Sequence, residues 1–165
     1  MLTQKELKKQ LSYDPETGVF TWAIRKQKVK LGSTAGKVKP NGYVEIRVNL
    51  VSYFAHRLAW LYMTGEWPEH DIDHINRNPN DNRFCNLRMA TRSQNLCNVG
   101  PRSNSTTGVR GVDFHKATGK FRARIRFDGR RVDLGLFPTL EEAEQAYLSA
   151  QKLNHGEFAP GSMVK

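Results

Sequence analysis

Residues 71–95 read DIDHINRNPNDNRFCNLRMATRSQN, and this stretch decides how the first half of the chain is interpreted. It holds six asparagines, three aspartates and four arginines around a single histidine, His74. Surface loops are often polar, and many of these asparagines are explained as turn formers. A polar loop does not explain their order, because Asp73 directly precedes His74, and Asn86 and Asn95 follow at intervals of twelve and nine residues.

These residue types suit the hydrolysis of a phosphodiester bond. A histidine can take a proton from an attacking water because its pKa lies near neutrality. Carboxylate and amide oxygens are ligands that Mg²⁺ prefers, and a divalent cation offsets the negative charge of a phosphate. In a strand, Asp73 and His74 would point to opposite sides. One could then hold a metal ion while the other approaches the phosphorus.

The chain as a whole is strongly basic, with a formal net charge of +10 over 165 residues and a pI near 9.9. Residues 1–98 carry a net +6 and residues 99–165 a net +4, so the charge is not confined to one tail. A basic chain favours a polyanionic partner, and we expect double-stranded DNA. We expect no membrane partner, because the sequence has neither a run of eighteen apolar residues nor a strongly basic amphipathic helix with exposed aromatic side chains.

A segment rich in Gly, Pro, Ser, Thr and Asn at residues 99–107 indicates a linker. It predicts two domains, at residues 1–98 and 108–160. In the first domain, AHRLAWLYMTG (residues 55–65) indicates a buried helix with a glycine cap. Farther along, Thr91 and Gln94 fit a capping box that places Asn95 on the first turns of a short helix.

The two cysteines, Cys85 and Cys97, are not spaced as a zinc site. We interpret them as reduced thiols of a cytoplasmic protein.

The second domain has a strand candidate with two chemically different faces, KFRARIRF at residues 120–127. Because side chains alternate along a strand, Phe121, Ala123, Ile125 and Phe127 should meet a helix. Arg122, Arg124 and Arg126 should then face solvent. The arginines would be about 6.6 Å apart, close to the spacing of about 7 Å between alternate phosphates of one DNA strand.

The pattern GVRGV…GKFRARIRF…RVDLGLF…TLEEAEQAY is similar to the APETALA2/ethylene-response-factor DNA-binding domain. The resemblance implies a three-stranded antiparallel sheet packed on one helix, with the sheet laid in the major groove of DNA. It implies that the DNA contacts include Arg110, Arg122, Arg124 and Arg131, and Arg126 would add to the same positive field. Plant members of the family carry tryptophans near the positions of Phe114 and Asp133, so base specificity is not carried over.

The pattern AHRLAW…IDHIN…DNR…NLR…AT..QN resembles HNH endonucleases of the phage and homing type, which have a ββα-metal fold. The resemblance implies that His74 is the general base and that Asp73 and Asn95 bind a divalent metal ion. It implies that Asn86 ties the loop and orients His74. Asn95 replaces the third histidine of the family pattern, and an amide oxygen favours hard ions. We therefore expect Mg²⁺, with Mn²⁺ as an alternative, and no structural zinc.

Three arginines near the motif, Arg57, Arg88 and Arg92, are candidate phosphate contacts, although each is equally explained as a surface charge. His56 stands beside Arg57 on the apolar helix, and for this histidine we favour core packing over chemistry.

The sequence thus predicts an α+β chain with an N-terminal ββα-metal domain and a C-terminal sheet packed on one helix. We expect a metal-dependent DNA endonuclease of the nicking or homing type. It would be a monomer or weak dimer, without a small-molecule substrate, in the host cytoplasm if encoded by a phage. The alternative is a non-catalytic, sequence-specific DNA-binding regulator, against which the retained His74 argues. An RNA-binding protein ranks third, because the sheet lacks exposed aromatic side chains for stacking single-stranded bases.

Overall fold

The computed structural model describes residues 1–25, 29–101, 104–127 and 129–155. Within these ranges, the side chains of Ser93, Cys97, Phe127, Asn154 and His155 are not described. The described part is a mixed α/β structure with four α-helices and several small antiparallel sheets. None of its helices is long and apolar enough to span a membrane.

The chain divides into two compact units, Met1–Asn95 and Leu96–Lys165. Parts of two predictions fall outside the described residues. They concern linker residues 102–103 and the end of the second domain at residue 160.

The first unit contains seven of the strands and three of the helices described. The helices are α1 (Gln4–Gln10), α2 (Ala55–Thr64) and α3 (Arg92–Cys97), the last of which ends just beyond the unit. The strands are β1 (Leu11–Tyr13), β2 (Phe20–Trp22), β3 (Lys37–Val38), β4 (Val44–Val48), β5 (Val51–Phe54), β6 (Asp71–His74) and β7 (Leu87–Ala90). They pair antiparallel as β1–β2, β3–β4–β5 and β6–β7.

Local sequence signals account for the C-terminal end of α2 and for the N-terminal start of α3. Helix α2 ends at Gly65, whose φ of 90° lies in the left-handed region, and this confirms the predicted glycine cap. Before α3, Gln94 N–H donates to Thr91 Oγ1 at 3.3 Å, and Thr91 N–H donates to Gln94 Oε1 at 2.8 Å. The capping box predicted from these two residues is therefore confirmed.

The core of the first unit is formed by α1, α2 and the inner faces of the small sheets. Its most deeply buried large side chains are Phe20, Leu7, Leu11, Ile46, Leu58, Leu61 and Val48. Helix α2 is buried on several sides, as its nearly continuous apolar sequence predicts. It holds the β3–β4–β5 sheet and the β6–β7 hairpin against one core.

The turn between β4 and β5 has an unusual residue. Val48 pairs with Val51, so only Asn49 and Leu50 form the turn, with φ values of 50° and 67°. Two-residue turns with positive φ at both positions normally take Asn-Gly. A leucine in the left-handed region costs about 1–2 kcal/mol of conformational energy.

The second unit has a three-stranded antiparallel sheet in the order β10–β9–β8, with β8 (Val112–His115), β9 (Lys120–Phe127) and β10 (Arg130–Phe137). Helix α4 (Leu140–His155) follows. Ala123 and Ile125 of β9 are buried with Ala143 and Tyr147 of α4, which confirms the predicted apolar face of β9 at these two positions.

Candidate functional site

The β6–β7 hairpin carries the two central residues of the motif. Asp73 and His74 are each only 5% exposed, whereas Asp71 at the start of β6 is exposed. Neighbouring residues of a strand point to opposite faces, so both faces of this hairpin are covered at its end. A buried carboxylate and a buried imidazole both require polar partners to be stable.

One partner of Asp73 is Arg88, directly opposite on β7. Arg88 Nε and Nη2 both donate to Asp73 Oδ2, at 2.9 and 2.8 Å. The two side chains are 14% and 6% exposed, so this ion pair is largely removed from water. Sequence reasoning treated Arg88 as a phosphate contact or a surface charge; the structure pairs it with the candidate metal ligand.

One partner of His74 is Asn82, whose Oδ1 lies 3.4 Å from His74 Nε2. Asn82 Nδ2 donates to the carbonyl of Asn80 at 3.1 Å, which identifies Oδ1 as the atom that faces the imidazole. An amide oxygen only accepts hydrogen bonds, so the neutral imidazole carries its proton on Nε2. Its Nδ1 is then the basic nitrogen.

The loop that carries Asn82 is held from outside by the β1–β2 turn. Tyr13 Oη donates to the carbonyl of Asn82 at 2.7 Å, and Phe84 N–H donates to the carbonyl of Pro15 at 3.1 Å. Gly18 lies so close to this loop that an added Cβ would stand 2.4 Å from the backbone nitrogen of Arg83. Any side chain at residue 18 would therefore displace the loop.

Asn86 ties the same loop from within. Its Nδ2 donates to Asn76 Oδ1 at 3.0 Å and to the carbonyl of Asp81 at 2.8 Å, and its Oδ1 accepts from Asn76 N–H at 3.0 Å. These bonds are consistent with the loop-tying role implied by the resemblance. The implied orientation of His74 by Asn86 stays a prediction, and the bonds shown would transmit it through the loop that carries Asn82.

An exposed ion pair fixes the outer side of the loop. Arg83 Nη2 lies 2.7 Å from Asp81 Oδ2. The hydrogen bond from Arg83 lowers the pKa of Asp81 to about 2. Asp81 therefore remains ionised throughout the neutral range.

Aromatic rings surround the imidazole of His74. The ring of His56, at the start of α2, meets it edge-on with 5.1 Å between centroids, and Tyr43 lies at 5.8 Å. Phe54 stacks on His56 at 5.5 Å and contacts Tyr43 at 5.4 Å. His56 is buried, as the core-packing interpretation predicts, but it packs directly against His74.

Sequence reasoning missed Tyr43 and Phe54. They come from the β3–β4–β5 sheet, at least 20 residues before His74. No local pattern connects them to the motif.

Burial controls the protonation of both histidines. It lowers the pKa of His74, an effect that the Asn82 hydrogen bond and the charges of Asp73 and Asp81 partly oppose. Burial, with the neighbouring His74 and Arg57, lowers the pKa of His56 to about 3. Both imidazoles are therefore neutral at physiological pH. His56 Nδ1 is buried without a hydrogen-bond partner among the described residues.

Asn95, which stands in place of the last histidine of the family pattern, lies on α3 and is partly buried. Its N–H donates to the carbonyl of Thr91 at 2.9 Å, so it belongs to the first turn of the helix. No group of three or more His, Cys, Asp or Glu side chains suited to a metal ion occurs in the part of the chain that the structure describes. The oxygen donors of Asp73 and Asn95 suit a hard ion that keeps much of its water, and not zinc.

The arginines proposed as phosphate contacts near the motif have different surroundings. Arg57 donates to the carbonyls of Pro68 and His70, at 3.3 and 3.5 Å, and so holds the segment that leads into β6. Arg92 is exposed at the start of α3. Their contact with a phosphate stays a prediction, and Arg57 has a structural role as well.

In the second unit, the polar face of the sheet carries both signs of charge. Asp113 of β8 lies opposite Arg122, and it accepts from Arg122 Nη2 at 2.8 Å and from Arg124 Nη2 at 2.6 Å. Asp133 of β10 lies opposite Arg124. The neighbouring strands β8 and β10 therefore supply carboxylates to the face on which the β9 arginines lie.

The remaining predicted DNA contacts of the second unit divide into two kinds. Arg126 and Arg131 are exposed and lie opposite each other on β9 and β10. Arg110 lies before β8, and its guanidinium donates to the carbonyls of Val99 and Leu96, the latter at 2.7 Å. The contact of Arg110 with DNA stays a prediction.

Comparison with known proteins adds evidence for the first unit. Residues 53–97 match the family described as HNH endonuclease, and the match includes Asp73, His74, Asn86 and Asn95. Protein 3.8 of Escherichia phage T7 is 29% identical over 105 residues, which are 63% of this chain and 86% of that protein.

A second viral relative, the uncharacterized HNH endonuclease L560 of Acanthamoeba polyphaga mimivirus, is 37% identical over 94 residues. These are 56% of this chain and 47% of that protein, so the chain spans about half of this relative's length. No solved structure matches the chain.

Proposed function

We propose that this protein is a DNA endonuclease that hydrolyses phosphodiester bonds, with His74 as the general base. The observation that carries the proposal is the placement of His74: a buried imidazole whose Nε2 lies 3.4 Å from Asn82 Oδ1, an acceptor that assigns the ring proton to Nε2. Its basic Nδ1 is therefore defined before any substrate binds. The match of residues 53–97 to HNH endonucleases supports the same assignment.

In the proposed reaction, His74 Nδ1 takes a proton from a water molecule as the water oxygen bonds to phosphorus. The bond from phosphorus to the 3′ oxygen breaks, the leaving oxygen is protonated by solvent, and 5′-phosphate and 3′-hydroxyl ends result. Asn82 Oδ1 stabilises the imidazolium that forms, since it accepts a hydrogen bond that strengthens when its donor becomes charged.

The hydrogen-bonded loop that carries Asn82 limits the movement of the Asn82 side chain relative to His74. Asn86 would act through the loop, which it ties to Asn76 and Asp81.

Asp73 and Asn95 are the residues that would hold a divalent cation, because both offer hard oxygen donors and both belong to the same motif as His74. Such an ion would offset the charge on the scissile phosphate and the leaving oxygen. The donor set favours Mg²⁺ or Mn²⁺ over zinc.

The second unit is proposed to bind DNA through the polar face of its sheet, as its resemblance to the APETALA2/ethylene-response-factor domain implies. Arg126 and Arg131 are exposed on this face, while Asp113 holds Arg122 and Arg124 close together. A tethered binding module raises the local concentration of the cutting module, so each can bind weakly alone.

Supercoiled plasmid incubated with the full chain and Mg²⁺ tests the proposed activity, beside a reaction that contains EDTA. Open-circular or linear product that appears only with the metal ion is the expected result. Duplex binding without any cutting of plasmid and phage DNA would contradict the nuclease proposal and favour a DNA-binding regulator.

A further inference from the structure

The turn at Asn49 and Leu50 combines backbone strain with exposure. Leu50 has a φ of 67° and is 82% exposed. A leucine in the left-handed region is strained, whereas glycine or asparagine is accommodated there. Its packing in the described structure does not offset the strain, since most of its side chain remains in solvent. Strained residues in folded proteins cluster at functional positions.

The turn is held rigidly at its base. Val48 and Val51 close the hairpin, and Arg47 Nε donates to the carbonyl of Leu50 at 3.2 Å. This hydrogen bond places the Arg47 guanidinium beside the exposed leucine. The tip of this hairpin, residues 49–50, therefore presents the exposed Leu50, with the half-exposed Val51 beside it and one cation next to it.

The β3–β4–β5 sheet, to which this hairpin belongs, extends from the tip to the proposed active site. Tyr43 directly precedes β4 and contacts the ring of His74, while Phe54 ends β5 and stacks on His56. The tip lies at the opposite end of the two strands. At about 3.4 Å per residue, β4 and the turn place Leu50 about 20 Å from that end. This distance is about six base pairs of DNA.

The outer face of the sheet carries an excess of positive charge. Lys37 lies opposite Glu45, and Arg47 lies opposite Ser52, so all four share this face. Lys39 pairs with Glu45 at 3.3 Å, which leaves Lys37 and Arg47 without an acidic partner among the described residues. An exposed apolar side chain beside a positively charged face is complementary to duplex DNA, which has an anionic backbone and stacked apolar bases inside.

We infer that Leu50 is a DNA wedge, which inserts between two base pairs from the minor groove about six base pairs from the bond that is cut. The inference rests on the proposed function, because DNA is taken as the substrate. Leucine is among the side chains that proteins insert between base steps to unstack and kink a duplex. The minor groove is about 6 Å wide and admits a narrow tip more readily than a whole sheet.

The test measures DNA unwinding without cutting. Relaxed closed-circular plasmid is incubated with the full chain, EDTA and a topoisomerase that needs no metal ion, and the protein is then removed. Insertion between base pairs unwinds the duplex, so wild-type protein should leave the plasmid negatively supercoiled. Leu50→Asn should lose most of this change and bind the duplex about tenfold more weakly.

Two variants make the comparison specific. Leu50→Met keeps a long apolar side chain and should unwind as wild type does. Leu31→Asn changes another exposed leucine, 59% exposed and not strained, and should also behave as wild type. Leu50→Asn should melt no lower than wild type, since asparagine tolerates the left-handed backbone, and this excludes misfolding as the cause.

Unchanged unwinding in Leu50→Asn, or no unwinding by wild type, would overturn the inference. It would also be overturned if Leu50→Asn only converted a dimer into a monomer, which would identify the tip as a contact between two copies. Because EDTA prevents metal-dependent cutting, the two proposals fail separately. Protein that unwinds plasmid but never cuts it with Mg²⁺ contradicts the nuclease proposal alone.

Discussion

His74 Nε2 faces Asn82 Oδ1 at 3.4 Å, and this pair determines which nitrogen of the imidazole is basic. Asn82 is 3% exposed, and its side-chain amide and its backbone carbonyl are both held by hydrogen bonds. The oxygen is therefore fixed toward the ring. The tautomer with the proton on Nε2 lets the imidazole donate to this oxygen.

Asn82→Ala should lower kcat for plasmid cutting by about 10²-fold, within the range of about 10²–10⁴ that a positioned general base contributes. The variant loses the acceptor that holds the Nε2 proton and stabilises the imidazolium. Asn80→Ala is the matched control, because the Asn80 side chain is exposed and its backbone carbonyl, which Asn82 uses, is kept. Equal kcat values for the two variants would contradict the assigned role of Asn82.

Arg88→Gln should destabilise the protein by about 3–5 kcal/mol, since it leaves the buried carboxylate of Asp73 without a counter-charge. Mg²⁺ should then raise the melting temperature of the variant more than that of wild type, because a bound cation replaces the lost charge. The double variant Asp73→Asn/Arg88→Gln should lose this response. A magnesium response no larger than that of wild type would argue against Asp73 as a metal ligand.

The unfolding free energy should fall as the pH falls below about 6.5. The pKa of His56 is about 3 in the folded protein and 6.5 when unperturbed, so the unfolded chain binds the extra proton between these values. The loss should approach about 1.4 kcal/mol per pH unit for His56. The lowered pKa of His74 adds to it in the same direction.

Urea unfolding followed by tryptophan fluorescence measures this loss in the first unit, where all three tryptophans lie. His56→Phe keeps an aromatic ring and removes the titratable group, so its stability should depend less steeply on pH. A slope equal to that of wild type between pH 4.5 and 6.5 would contradict the burial of a neutral His56.

Asp113→Asn should strengthen binding of the full chain to duplex DNA, because it releases Arg122 and Arg124 from their shared carboxylate. Burial alone would raise the pKa of Asp113, but the two arginines lower it, so the carboxylate is ionised at neutral pH. Arg122→Ala/Arg124→Ala should weaken binding and reduce the slope of log K against log salt by about 2. Unchanged slopes in both variants would remove this face from the DNA interface.

Local chemistry made several features predictable. The alternation of β9 predicted that Ala123 and Ile125 would be buried, and Gly65 marked the end of α2. The interpretation of Asp73 and His74 as neighbours on a strand agrees with their place on β6. Each of these signals acts over a few residues, so it can be seen in the sequence itself.

Features that depend on distant pairing were not predictable in the same way. Arg88 meets Asp73 because of the register between β6 and β7, and Asp113 meets Arg122 through the register between β8 and β9. Which loop asparagine turns toward His74 depends on the hydrogen bonds of the whole loop. The exposed Leu50 stands where the usual turn preference favours glycine, so local rules predict against it.

The central claim is that His74 is the general base, and a single-turnover assay that records binding and cutting together tests it most directly. His74→Ala should bind duplex DNA with the affinity of wild type but cut supercoiled plasmid with Mg²⁺ at least about 10²-fold more slowly. His70→Ala, which changes an exposed histidine of the same unit, should cut as wild type does. Cutting by His74→Ala at the wild-type rate, or loss of cutting only in proportion to lost binding, would contradict the claim.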